Sequence, residues 1–239
     1  MSSIVVLIGG GHAAGKLTTA KLLKQEIESS MAHEPAVELI DLRSYEIKVQ
    51  DNADVLNSKA SAITVNKNGS SAPALKPSRF QFSKLKQYLA EQKTTPENNI
   101  QKVFIVHGLY ALYDKELRDM SHMKVFIDSD ADTRLIRWIR RDITNNKEPA
   151  TLEYVINSYL QGARTEMSDY IFPTKEFADV IMPRGAEANA VKLIFDGILL
   201  NLEDKSLVST ERVRGNLRPT GHFDMEKFDD QKNKFYTLN

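Results

Sequence analysis

The chain has 239 residues, is 41% hydrophobic, and balances 32 Lys and Arg against 32 Asp and Glu. That length suits one large hydrophobic core, and the zero net charge provides no global attraction to nucleic acid or to an anionic membrane surface. Cysteine is absent, which excludes disulfides, thiolate metal sites and cysteine nucleophiles. No apolar run fits a signal peptide or a transmembrane helix, so the expected location is the cytoplasm, with the nucleus as a further option.

Short apolar runs alternate with longer segments of helical periodicity, which is the pattern of βα units around a parallel sheet. The predicted strands are residues 4–8, 37–42, 102–106, 123–127 and 178–182. The predicted helices are residues 16–28, 82–92, 131–144, 152–170 and 188–202. In the first helix, the residues expected on the buried face are Leu17, Ala20, Leu22, Leu23 and Ile27.

Two polar segments interrupt or follow this pattern. Residues 48–76 are rich in Asn, Ser, Lys and Ala, and they are predicted to form a long loop or a poorly ordered excursion. Residues 205–239 show no sustained periodicity and are predicted to be a polar tail. The predicted organisation is therefore a single α/β domain of residues 1–204 followed by the tail.

A phosphate-binding loop is predicted between the first strand and the first helix. Residues 10–17 read Gly-Gly-His-Ala-Ala-Gly-Lys-Leu and match the pattern G-x-x-x-x-G-K. Glycines let backbone N–H groups converge on phosphate oxygens, the helix N-terminus faces the same anion, and the lysine reaches the β- and γ-phosphates. The residues predicted to bind the nucleotide here are Gly10, Gly11, His12, Ala13, Ala14, Gly15, Lys16, Leu17 and Thr18.

The position after the lysine departs from this pattern. A Ser or Thr hydroxyl normally coordinates Mg²⁺ there, whereas Leu17 has no ligand atom. Thr18 lies one residue later, about 100° further around the helix, so it is predicted to contact a metal only weakly and indirectly. Phosphate binding is expected to survive this change, and metal placement is expected to be altered.

Four segments, in the same order along the chain, resemble the uridine kinase (uridine–cytidine kinase) family, relatives of phosphoribulokinase. The first is the P-loop and the second is FIVHGLYALY at 104–113. The third begins with MKVFIDSDADTRL at 123–135 and continues to Ile143, and the fourth is FPTKEFADVIMPRG at 172–185. The resemblance implies the fold of P-loop nucleoside kinases, a five-stranded parallel sheet with helices on both faces. It also implies ATP and Mg²⁺ as cofactors, transfer of the ATP γ-phosphoryl to the 5′-hydroxyl of uridine or cytidine in pyrimidine salvage, and the homo-oligomers common in the family.

The acceptor side departs from the family pattern. His107 stands where the family has an acid, and imidazole is a poor ligand for Mg²⁺. Leu42 stands at the position of the family's base-like Asp, and Asp41, one residue earlier, is the predicted substitute that orients the acceptor hydroxyl. These changes, together with Leu17, weaken the expectation of turnover more than the expectation of ATP binding.

Arginines spaced three or four apart follow the fourth strand. Arg137 and Arg141 match family positions and are predicted to bind phosphate, whereas Arg134 and Arg140 are expected on a solvated helix face. The predicted catalytic residues are thus Lys16, Asp41 and Arg141. The sequence favours a working nucleoside kinase, but it leaves open a nucleotide-binding pseudokinase and a P-loop kinase with a changed acceptor.

Overall fold

A computed structural model describes residues 3–30, 35–47, 76–94, 102–146 and 150–203. Its strands are β1 Ile4–Gly10, β2 Ala36–Asp41, β3 Lys102–His107, β4 Met123–Ile127 and β5 Val180–Met182. Its α-helices are α1 Lys16–Ser30, α2 Phe82–Thr94, α3 Lys115–Met120, α4 Ala131–Ile139, α5 Leu152–Ser158, α6 Arg164–Glu166 and α7 Ala188–Glu203. Short 3₁₀ turns cover Leu42–Tyr45, Pro77–Arg79 and Phe172–Phe177, and π-helical turns cover Arg140–Thr144, Tyr159–Ala163 and Met167–Ile171.

The strands form one parallel sheet in the order β2-β3-β1-β4-β5. The central strand β1 is buried along its whole length, as expected for a parallel strand covered on both faces. Its alternating side chains divide between two cores. Ile4, Val6 and Ile8 pack with α1 and α7 on one face, and Val5 and Leu7 pack with α2 and α3 on the other. The predicted five-stranded sheet with helices on both faces is confirmed.

The sheet register brings three strand ends together at one edge. Ile8 of β1 lies opposite His107 of β3, and Asp41 of β2 lies opposite the same histidine. On the other side of β1, Gly10 lies opposite Ile127, the last residue of β4. The loops that follow these strands therefore meet at the carboxyl edge, where ligands of open α/β sheets bind.

Two details of the predicted helices are wrong. Leu17 was expected on the buried face of α1, but 47% of it is exposed, because the buried face is made by Thr19, Ala20, Leu23 and Ile27. The predicted helix 131–144 is α-helical only as far as Ile139, and 152–170 is likewise divided by π-helical turns. An additional short helix, α3, begins at Lys115 and is capped by Asp114, whose Oδ1 accepts a hydrogen bond of 2.8 Å from the N–H of Leu117.

The polar segments predicted at 48–76 and 205–239 lie almost entirely outside the described residues, so the division at residue 204 stays a prediction. The chain divides into a unit of residues 1–202 and a unit of residues 203–239, and the elements above belong to the first, apart from the last residue of α7. Every helix within the described ranges is too short or too polar to span a bilayer.

Candidate functional site

The loop between β1 and α1 has the backbone that its glycines allow. Gly10 and Gly15 have φ values of 138° and 107°, and Ala13 between them has a φ of 54°. A Cβ atom at Gly10 would lie 2.5 Å from the carbonyl oxygen of Ile127, so only glycine fits between the loop and β4. Lys16 folds back over the loop, and its Nζ donates a 2.6 Å hydrogen bond to the carbonyl oxygen of Gly11. This is the arrangement of a P-loop.

Side chains from the end of β4 and from α4 hold the far side of the loop. The carbonyl oxygen of Ala14 accepts hydrogen bonds from Ser129 Oγ at 3.2 Å and from Arg137 Nη1 at 3.1 Å. The same guanidinium donates to Ser129 Oγ at 3.2 Å and to the carbonyl oxygen of Arg184 at 3.3 Å. Arg137 therefore braces the loop backbone, and its predicted direct contact with a nucleotide stays a prediction.

Arg134 was expected on a solvated helix face, and that expectation is wrong. The side chain is buried, and its Nε donates a 3.0 Å hydrogen bond to the carbonyl oxygen of Ser129. Its Nη1 lies 2.5 Å from the position that a Cβ atom would take at Gly11. A side chain at Gly11 would therefore displace the guanidinium of Arg134 from its position beside the loop.

His12, which the sequence predicted to bind the nucleotide, is buried, and its contact with a nucleotide stays a prediction. It is 5% exposed, its Nε2–H donates to a carboxylate oxygen of the fully buried Glu166, and its ring stacks on Trp138 with centroids 5.1 Å apart and an interplanar angle of 18°. Burial lowers the pKa of His12, although Glu166 opposes that shift. A neutral imidazole therefore anchors the loop to α4 and α6.

The indole ring of Trp138, which stacks on His12, also connects the loop to Arg141. Trp138 Nε1 donates a 2.6 Å hydrogen bond to Asp142 Oδ2, and the guanidinium of Arg141 grips both oxygens of Asp142 at 2.5 and 2.9 Å. Arg141 was predicted to steady the transferring phosphoryl group. Its side chain is 46% exposed and its charge lowers the pKa of Lys16, so it lies within electrostatic reach of the loop. The catalytic role stays a prediction.

The acceptor side is built from the ends of β2 and β3. Asp41 Oδ1 accepts a 3.0 Å hydrogen bond from the N–H of Arg43, which caps the 3₁₀ turn after the strand. Leu42 is 1% exposed and packs in the hydrophobic core against the position of Gly108. His107 is buried, and burial lowers the pKa of its imidazole against the opposing charge of Asp41. The backbone thus directs Leu42, at the position of the family's base, into the core, and it leaves Asp41, the predicted substitute, at the edge of the sheet.

Positive charge accumulates around Lys16. Burial first, and then the guanidinium groups of Arg43, Arg134 and Arg141, lower the pKa of this lysine to about 7, while Asp41 opposes them. An ammonium group is normally protonated up to about pH 10.4. Its pKa is depressed here first because burial disfavours the charged form, and then because the neighbouring arginines place further positive charge beside it. A bound polyphosphate would supply that charge.

The residues present do not fit the Mg²⁺ site that the family resemblance implies. Leu17 replaces the hydroxyl ligand, and both Leu17 and Thr18 are exposed. Thr19 has a hydroxyl but is fully buried, and that hydroxyl makes no hydrogen bond with any described residue. Within the described ranges there is no group of three or more His, Cys, Asp or Glu side chains that could hold a metal ion.

Four residues of the site escaped the sequence analysis or were misjudged by it. Arg43 lies two residues after Asp41, the candidate carboxylate that ends β2, so its position was a usable signal. Ser129 lies two residues after the end of the fourth strand, so its position was also a usable signal. Arg134 and Glu166 had none, because their burial depends on how α4 and α6 pack against the loop.

A parallel sheet with a lysine-bearing glycine loop after its first strand defines a P-loop nucleotide-binding protein of the kinase type. The chain belongs to the Phosphoribulokinase / Uridine kinase family, whose family model matches residues 5–191.

Among its relatives is a Saccharomyces cerevisiae protein named "Putative uridine kinase DAS2", with 32% identity over 98% of this chain and 95% of the relative. The Arabidopsis thaliana uridine kinase-like protein 3 is 28% identical over 85% of this chain, which spans 44% of that relative. A crystal structure of a Silicibacter sp. TM1040 protein, described as a "putative fructose transport system kinase", superposes with a TM-score of 0.52 and 15% identity, covering 76% of this chain and 90% of that one. This last likeness concerns the fold alone.

Proposed function

We propose that the protein is an ATP-dependent phosphotransferase that moves the γ-phosphoryl group of ATP to the 5′-hydroxyl of uridine or cytidine. The observation that carries the proposal is the P-loop with Lys16 folded over it, in a chain that belongs to a family containing uridine kinases. The named relatives that match most of the chain are uridine kinase-like proteins, which supports a nucleoside as the acceptor.

In this proposal the loop amides and Lys16 hold the phosphates, and Arg141 stabilises charge on the transferring group. Asp41 orients the acceptor hydroxyl and takes up its proton. A new bond forms between the hydroxyl oxygen and the γ-phosphorus, while the bond from that phosphorus to the bridging oxygen breaks and ADP leaves with the electron pair. Positioning and electrostatics supply most of the rate in such a transfer, so the braces on the loop are part of the machinery.

Pyrimidine salvage in the cytoplasm is the process that this reaction would serve, with a nucleoside as the small-molecule partner and self-association into a homo-oligomer. A membrane or a nucleic acid is not a proposed partner.

A second candidate is a nucleotide-binding protein with little or no turnover, whose ligand-dependent conformation a partner recognises. The burial of Leu42 favours it, because the position that carries the base in the family has become part of the core. The absence of a hydroxyl at Leu17 points the same way. A kinase with a changed acceptor fits these two observations equally well.

A coupled ADP-release assay with uridine and cytidine, compared with ATP alone, tests the first candidate. We expect nucleoside-dependent ADP release, and we expect Lys16→Ala to reduce it by at least about 10³-fold, since phosphoryl transfer depends on such charge stabilisation. Lys21→Ala, an exposed change in the same helix, is the matched control and should keep full activity. ATP-induced thermal stabilisation without turnover on either nucleoside would favour the alternatives.

A further inference from the structure

We propose that this site binds a nucleoside triphosphate without a divalent cation, and that the guanidinium of Arg43 provides, beside Lys16, the positive charge that the metal provides elsewhere. This inference rests on the triphosphate site of the proposed function. It concerns how the phosphates are neutralised and does not depend on which hydroxyl accepts the phosphoryl group.

The first step is that α1 offers no metal ligand to the phosphates. The helix begins at Lys16, and the three residues after it are Leu17, Thr18 and Thr19. The leucine has no oxygen, and Thr18 is exposed and rotated away by about 100°. The hydroxyl of Thr19 is enclosed between the helix and the sheet. A hard, oxygen-seeking cation therefore loses the side-chain oxygen by which a P-loop normally fixes it.

The second step is that the neighbouring strand end does not replace that ligand. His107 occupies the end of β3, opposite both Ile8 and Asp41. Its imidazole is a poor donor for Mg²⁺. Asp41 lies opposite His107 in the sheet register, and one of its oxygens already accepts the N–H of Arg43. A single carboxylate does not make a metal site.

The third step is the position of Arg43. It follows Asp41 in the 3₁₀ turn at the end of β2, on the same edge of the sheet as the P-loop. Its charge acts on three groups of the site, because it lowers the pKa of Lys16, of His107 and of His12. Its side chain is exposed. Within the described part of the chain, no carboxylate forms an ion pair with its guanidinium.

The fourth step is that the acids around the site other than Asp41 already have partners. Asp142 accepts hydrogen bonds from Arg141, and Asp128 Oδ2 accepts one of 2.6 Å from Lys175 Nζ. Glu166 accepts a hydrogen bond from His12. The positive charges of Lys16 and Arg43 therefore remain for a ligand. A guanidinium binds phosphate oxygens with two parallel hydrogen bonds and keeps its charge at every accessible pH. It can thus neutralise a β- or γ-phosphate without a metal.

The test is isothermal titration calorimetry of the full chain with ATP, in excess Mg²⁺ and in excess EDTA. We expect the wild-type dissociation constant to change by less than about threefold between these conditions, whereas a metal-dependent site loses charge-assisted contacts and hence about tenfold or more. Arg43→Gln should weaken binding in EDTA by about tenfold or more. Arg140→Gln, at an exposed arginine that follows α4, is the matched control and should leave the affinity unchanged.

A second pair of variants tests the missing ligand itself. Leu17→Thr restores the hydroxyl at an exposed position and should make ATP binding tighter in Mg²⁺ than in EDTA. Leu17→Val has the same shape without the oxygen and should remain indifferent to Mg²⁺. ATP binding by the wild type that disappears in EDTA would overturn the inference and leave the proposed function standing. Absence of ATP binding in both conditions would overturn both.

Discussion

Lys16 illustrates how much a single residue of this site depends on its surroundings. In the empty site its pKa is lowered to about 7, first by burial and then by the neighbouring arginines. Above that pH the empty site holds mainly the neutral amine. A bound triphosphate replaces the missing negative charge, so it raises the pKa of the lysine back toward its ordinary value and favours the ammonium form.

Binding of ATP should therefore take up a proton between about pH 8 and 9, where the empty site lacks it and the complex holds it. Below about pH 6 the lysine is protonated in both states, and this uptake should vanish. Calorimetry in two buffers with different ionisation enthalpies measures the effect. Lys16→Arg keeps a charge that cannot be removed, so its uptake should be absent. A buffer-independent binding enthalpy for the wild type near pH 8.5 would contradict the lowered pKa.

The residues of the site divide by whether their role is local. The glycines and Lys16 were predictable, because the pattern G-x-x-x-x-G-K specifies, within a few residues, the backbone angles of the loop and a lysine whose side chain reaches the phosphates. His12 was not predictable, since its neighbours Trp138 and Glu166 come from distant parts of the chain. Leu42 was read as a failed catalytic position, and its burial shows that the fold now uses it for packing.

At the scale of elements, the P-loop is tied to the helices that follow β4. The imidazole of His12 joins the loop to α6 through Glu166 and to α4 through Trp138. Trp138 in turn positions Asp142 and Arg141. Through this series of contacts we expect a displacement of the loop to change the position of the arginine predicted to serve the phosphoryl group.

His12→Ala should cost about 2 kcal/mol or more of the free energy of unfolding, because it removes a hydrogen bond to a buried carboxylate and leaves space beside Trp138. Glu166→Gln keeps an acceptor for the imidazole N–H and should cost less. Urea unfolding followed by tryptophan fluorescence measures both, since the chain has one tryptophan, in contact with His12. Equal stability of His12→Ala and the wild type would show that the contact contributes nothing.

The strands were predicted more successfully than the helices, and for a physical reason. A buried parallel strand is a short apolar run with a sharp start and end, so the five predicted strands overlap β1 to β5. The helical segments after β4 carry a clear apolar period, but their hydrogen bonding changes to π-helical turns at Arg140–Thr144, Tyr159–Ala163 and Met167–Ile171. Such turns add a residue to the helical repeat, and residue patterns alone do not mark them.

At the scale of the whole molecule, the sheet and both of its covering layers lie within residues 3–203. The two hydrophobic cores draw on β1, α1 and α7 on one face and on α2 and α3 on the other. The proposed boundary at residue 204 separates the elements that carry these two cores from the polar sequence of 205–239.

A chain shortened to residues 1–204 should consequently unfold within a few degrees of the full chain, since about 1 kcal/mol corresponds to only about 2–4 °C at this size. A ligand that binds only the folded state stabilises it, so we expect ATP at a hundred times its dissociation constant to stabilise both chains by about 2.7 kcal/mol. Differential scanning fluorimetry of the two chains with and without ATP measures both quantities. In both chains, Lys16→Ala should abolish the increase in unfolding temperature that ATP causes, and it should leave the unfolding temperature without ATP nearly unchanged. If the shortened chain unfolds at a much lower temperature, the last 35 residues contribute to the packed domain, because the P-loop and both cores are otherwise unchanged.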